Sequence, residues 1–87
     1  MGAKYLGGLK ELHIGVGATD EGLKEVGRLT SLEVLDIGFG KVTDAGLKEL
    51  EGLKNLRKLY ITETKVTNAG LDALQKALPK VHISRLP

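Results

Sequence analysis

The chain of 87 residues, 41% hydrophobic and 28% charged, suffices for one small domain around a single core. Its 3% aromatic content leaves core packing to aliphatic side chains, and the lack of cysteine excludes disulfides and thiolate metal sites. A net charge of +2, made of singly scattered charges of both signs, argues against nucleic acid as a partner. Lys4, Lys10 and Glu11 interrupt the first apolar positions, so neither a signal peptide nor a membrane span is read there and the chain is expected to be soluble.

Sliding the chain against itself reveals a repeat. Leu9, Leu32 and Leu56 align at separations of 23 and 24 residues, and Leu12, Leu35 and Leu59 fall in the same register, as do Ile14, Ile37 and Ile61. Taken in chain order, residues 1–8 form a partial N-terminal repeat, followed by repeats at 9–31, 32–55 and 56–77 and a C-terminal closing strand in 78–87. The first repeat is one residue shorter, the loss falling between Ile14 and Ala18.

Within each repeat, apolar residues first alternate at a period of two, as half-buried strands do: Leu12 and Ile14, Leu35 and Ile37, Leu59 and Ile61. The final segment, Leu78 to Ile83, fits the same LxxLxI pattern with Val81 in the place of Leu59, which predicts a fourth strand. Between the strands stand Thr19-Asp20-Glu21-Gly22-Leu23, Thr43-Asp44-Ala45-Gly46-Leu47 and Thr67-Asn68-Ala69-Gly70-Leu71. Thr at the N-cap, flanked by apolar residues before it and four after it, predicts three helix starts. Asp20 and Asp44 put a carboxylate at the positive helix end. Gly22, Gly46 and Gly70 carry a propensity cost of about 1 kcal/mol each, and their recurrence predicts close approach of helix to strand. Leu23, Val26 and Leu29, and likewise Leu47, Leu50 and Leu53, form the inward stripe, with Gly52 as a helix stop.

The template LxxLxI followed by VTDxGLxxLxxL resembles the leucine-rich-repeat family, especially the bacterial and F-box-associated subtype with TDxGL at its helix start. The resemblance covers about Leu6 to Ser84. It implies an α/β fold: a right-handed solenoid with four parallel strands on the concave side and three helices on the convex side. It also implies that the ALPxxxI segment at Ala77–Ile83 closes the array, as in bacterial members, and that the role is protein binding without catalysis.

Two glycine-rich stretches invite a nucleotide reading and fail it. After Gly15-Val16-Gly17 the third glycine of GxGxxG would fall on Asp20, whose charge repels a pyrophosphate. Around Gly40-Lys41 a phosphate loop would need Gly at Leu35 and Ser or Thr at Val42. No cofactor is expected. Phe39 and Val16, at equivalent places after the strand, are expected in the core.

Outward strand positions are the candidate binding surface. Aligned by the LxxLxI pattern they form three columns: Glu11, Val34, Lys58 and Lys80; His13, Asp36, Tyr60 and His82; Gly15, Gly38, Thr62 and Ser84. With strands about 4.8 Å apart, His13 reaches Asp36, and Tyr60 reaches both Asp36 and His82. His13 and His82, roughly 14 Å apart, cannot share a metal ion, and no Ser or Cys nucleophile stands beside His13, so neither metal nor catalytic site is assigned. The candidate binding set is Glu11, His13, Asp36, Lys58, Tyr60, Thr62 and His82, with an unidentified protein or peptide as the partner. The alternative is a structural fragment or engineered repeat scaffold with no ligand, self-associating as a homo-oligomer through an uncapped edge at Leu6, Leu9 and Leu12.

Overall fold

A computed structural model describes residues 8–85. Within them four short strands run parallel and pair in chain order: β1 (Glu11–His13), β2 (Val34–Asp36), β3 (Lys58–Tyr60) and β4 (His82–Ser84). Between them come helices α1 (Asp20–Val26), α2 (Asp44–Lys48) and α3 (Asn68–Ala77). In the sheet each strand lies beside its sequence neighbour, and in the helical layer α1 packs on α2 and α2 on α3. The core lies between the two layers, where Leu35 and Leu59 from the strands meet Leu23, Leu47 and Leu74 from the helices. Each such side chain contributes roughly 1.5–3 kcal/mol by leaving water. Leu6, at the expected N-terminal edge, lies outside the described residues.

The leucine spacing explains how a repeat gets from helix to strand. Leu47, Leu50, Leu53 and Leu56 recur every three residues and are all buried. Backbone bonds run from Leu50 N–H to Leu47, from Leu53 to Leu50 and from Leu56 to Leu53 at 3.0 Å each. Three residues per turn is the 3-10 geometry, which keeps every third side chain on one face. The α-helix accordingly ends at Lys48, four positions before Gly52, and tighter turns continue the same apolar stripe. Val26, Leu29 and Leu32 repeat the device, with bonds of 2.9 and 3.0 Å.

The last repeat departs from this plan and corrects the expected register. Leu59 pairs with Ile83, Lys58 with His82 and Tyr60 with Ser84, so the fourth strand sits two residues away from the LxxLxI alignment. Helix α3 runs for ten residues and is closed by a full α bond from Leu78 N–H to Leu74 at 2.8 Å. An α-helix rises less per residue than a 3-10 turn, and more chain is used before the strand begins. Leu78 and Val81 remain buried in the turn that precedes β4, mimicking the strand pattern they only approach.

Each helix start is capped by its threonine, as expected: Thr19, Thr43 and Thr67 accept from Gly22, Ala45 and Gly70 N–H at 3.0, 3.3 and 3.2 Å. The aspartates that follow reach across to the next repeat. Asp20 accepts from Thr43 N–H at 2.8 Å and from its hydroxyl at 2.6 Å. Asp44 does the same with Thr67, at 2.8 and 2.5 Å, and those donors hold its carboxyl below the usual carboxylate range. Asn68 ends the series and accepts instead from Arg85 at 3.3 Å.

The clasp also accounts for Gly46 and Gly70, whose close contacts are with the preceding helix and not, as expected, with a strand. A Cβ on Gly46 would run into Asp20 Oδ1 and come within 3.0 Å of Leu23, and one on Gly70 would run into Asp44. A Cβ on Gly22 would meet nothing closer than Thr19 Oγ1 at 3.4 Å. The same exchange should therefore have opposite signs at equivalent positions. In thermal melts Gly22→Ala is expected to stabilise by up to about 1 kcal/mol through helix propensity, whereas Gly46→Ala is expected to destabilise by about 1–3 kcal/mol through overpacking.

Candidate functional site

The open face of the sheet carries side chains that the pleat turns away from the core. The observed register arranges them in two columns: Glu11, Val34, Lys58 and His82, then His13, Asp36, Tyr60 and Ser84. Glu11, His13, Val34, Asp36, Lys58 and Tyr60 line an open depression of about 300 Å³. His82 stands beside Lys58 on β4 and not beside Tyr60, so the expected Tyr60–His82 contact is replaced by a basic pair. Thr62 is only 6% exposed; it is absent from the lining of this depression and borders only the hollow beside Phe39. Leu9 and Leu12 are half-buried against the core.

His13 is held between two carboxylates. Its Nε2 lies 2.6 Å from Glu11 Oε2 on the same strand, and its Nδ1 lies 3.3 Å from Asp36 Oδ2 on β2. The second contact was readable from the column; the first was not, because two residues along a strand share a face without any fixed side-chain approach. A neutral imidazole donates to one carboxylate at a time, whereas the protonated ring donates to both. The hydrogen bond to Glu11, and next that to Asp36, therefore raise the His13 pKa above the ordinary imidazole value. With both ring nitrogens so engaged, neither is free to ligate. Among the described residues no group of three or more metal-ligating side chains is placed to hold an ion.

Asp36 has a second task. Its Oδ1 accepts from Gly38 N–H at 2.9 Å, tying the face to the loop that follows β2. That loop turns through Gly40 N–H to Ile37 at 3.1 Å, and Phe39 N–H donates to Thr62 at 2.6 Å. Phe39 is held at φ 63°, in the left-handed region that turns usually give to Gly or Asn. In the shorter first repeat the loop contracts to a 3-10 turn at Gly15–Gly17, and there a glycine, Gly15, takes the positive φ.

These loops overturn the expectation that Val16 and Phe39 enter the core. Val16 is 77% exposed and Phe39 56%, and they are the large hydrophobic side chains left open among the described residues. With Gly15, Gly38, Asp36 and Tyr60 they border a second hollow of about 230 Å³, which shares Asp36 and Tyr60 with the first. The combined surface has a polar floor on the strands and an apolar lip at their C-terminal ends. No residue lining the first hollow carries a hydroxyl or thiol nucleophile apart from the Tyr60 phenol.

A family model described as Leucine Rich repeat matches residues 28–50 and 52–74, together just over half of the chain. Each window takes in a strand and the helix start that follows it, and the two windows are offset by the same 24 residues that relate β2 to β3. No curated protein matches the chain. Among the described residues no helix is long and apolar enough to cross a membrane.

The His13 arrangement is checked by NMR titration. Glu11→Gln is expected to lower the imidazole pKa more than Asp36→Asn does. A folded pKa above the unfolded value means that the carboxylates stabilise the fold fully below the unfolded pKa and lose this contribution as pH rises through the folded one. Melting temperatures of the wild type and Glu11→Gln should therefore converge on the alkaline side.

Proposed function

Because the chain belongs to the leucine-rich-repeat family, we propose that it is a protein-interaction module that binds an extended segment of its partner across the open strand face and acts by binding, not catalysis. We read its architecture as a short right-handed solenoid, since consecutive parallel strands joined through helices take that hand. Strands repeat about 4.8 Å apart while packed helices stand about 8–10 Å apart, so the strand face is the inner, concave side. The Thr-Asp-x-Gly-Leu helix starts favour the bacterial and F-box-associated subtype.

The observation that carries the binding reading is Phe39. Phe39 is 56% exposed while its backbone sits at φ 63°, a placement that costs a non-glycine residue about 1–2 kcal/mol. The positive φ is common to the loop in all three repeats, at Gly15, Phe39 and Glu63; what sets Phe39 apart is a large aromatic left half in water beside Tyr60 and the Asp36 carboxylate, which has the features of a binding anchor. Phe39→Gly relieves the strain while giving up the ring's remaining contacts, and folding stability is expected to stay within about 1 kcal/mol of wild type.

Selection of a random displayed peptide library on the wild type, with counter-selection on Phe39→Ala and Tyr60→Ala, tests the assignment. Peptides enriched on the wild type should lose at least tenfold in affinity on either variant, the range expected for an aromatic anchor. Peptides that bind all three proteins equally would remove the strand face as the site. These variants are preferable to Asp36→Ala, which would also release the Gly38 amide.

A second reading, association of two copies through the β1 edge, is favoured by the incomplete burial of Leu9 and Leu12, whose counterparts Leu32 and Leu35 are fully buried. Among the described residues β1 pairs with β2 alone, and an open strand edge beside apolar surface favours such contacts. Sedimentation should then show mass rising with concentration, and a strictly monomeric species at high concentration would eliminate this reading.

A further inference from the structure

Resting on the strand-face reading above, we infer that the bound segment is dipolar: a peptide crossing the strands with a basic side chain over β1 and β2 and an acidic one over β3 and β4. The corrected register is what divides the charge. Glu11 and Asp36 stand at one end of the face, and Lys58 and His82 are neighbours at the other. Lys80, just before β4, is also exposed. His13 lies between the two carboxylates, and even when protonated it leaves that end with one net negative charge. Lys10 and Glu33 pair with each other at 3.3 Å and cancel.

The two ends are two strand spacings apart, about 10 Å, which a ligand in polyproline-II conformation covers in about three residues, one full turn, so that the side chains at both ends of that interval lie on the same face. A ligand therefore needs its cation and its anion about three positions apart. The residues between them lie over Val34 and Tyr60, and an apolar side chain there faces the lip formed by Val16 and Phe39. Charge complementarity of this sort fixes orientation and rejects wrong partners more than it adds affinity. Individual exposed pairs are weak and are screened by salt.

Four capped peptides separate the outcomes when titrated into isotope-labelled protein at low salt and followed by amide shifts: Gly-Lys-Leu-Leu-Glu-Gly, its reverse Gly-Glu-Leu-Leu-Lys-Gly, and the versions with Lys or Glu at both charged positions. One of the two dipolar peptides is expected to shift amides on all four strands and to bind several-fold to about tenfold more tightly than either like-charge peptide. Lys58→Glu, a surface change, is expected to reverse the order in favour of the two-Lys peptide. Should a like-charge peptide bind the wild type as tightly as both dipolar ones, the dipolar ligand is overturned; if Phe39→Ala still abolishes that binding, the strand-face reading stands. No shift with any of the four also overturns it, and the display selection then judges the face independently.

Discussion

Each repeat of this chain is fastened to the next by a carboxylate lent outward from its helix start. Asp20 and Asp44 take both the amide and the hydroxyl of the following threonine, and that threonine caps its own helix in turn. One residue thus joins two levels of structure: it satisfies a helix terminus and fixes the spacing between neighbouring helices. The glycine beneath the carboxylate gives it room. On the strand side the backbone ladder performs the corresponding service, so each repeat is held at both ends and leucine fills the space between. The open strand face depends on the same arrangement, because side chains on three-residue strands keep a common plane only if successive repeats are held at constant spacing.

Much of this was legible in the sequence, since repetition converts weak local signals into strong ones. A single Thr-Asp-x-Gly-Leu is a weak helix start; two of them and a third copy with Asn68 for the aspartate, all in register and followed by leucines, specify caps and strands together. The fourth strand was misplaced because Leu78, Val81 and Ile83 satisfy the strand pattern by coincidence, while the period of 24 that links Leu35 to Leu59 continues to Ile83. The direction of the aspartates was hidden for a different reason. Spacing along one helix says nothing about a neighbour, and the substitution of Asn68 for aspartate in the last copy was the one hint that the side chain served the next repeat.

The face itself was partly visible. Strand alternation gave Glu11, His13, Asp36 and Tyr60, and period alone implied the contact between His13 and Asp36. The apolar lip was missed because a hydrophobic residue after a strand is ordinarily drawn inward, and only backbone dihedrals reveal that Phe39 turns the other way. Thr62 illustrates the converse. Its place in the column is outward by count, yet the loop carrying Phe39 closes over it through the Thr62 carbonyl. Small displacements of chain at the ends of short strands decide which side chains meet solvent.

The clasp has a consequence for how such a chain lengthens. A block from one strand start to the next carries a threonine to receive a carboxylate, a glycine to make room for it and, in the two earlier copies, an aspartate to offer onward. Copying the block spanning 32–55 in tandem would place a complete donor and acceptor at each new junction, with no change to the flanking repeats. Gene duplication of that interval is thus structurally conservative, whereas duplication of the last copy is not, because Asn68 is committed to Arg85. The two kinds of junction make growth from the interior of the array easier than growth from its end.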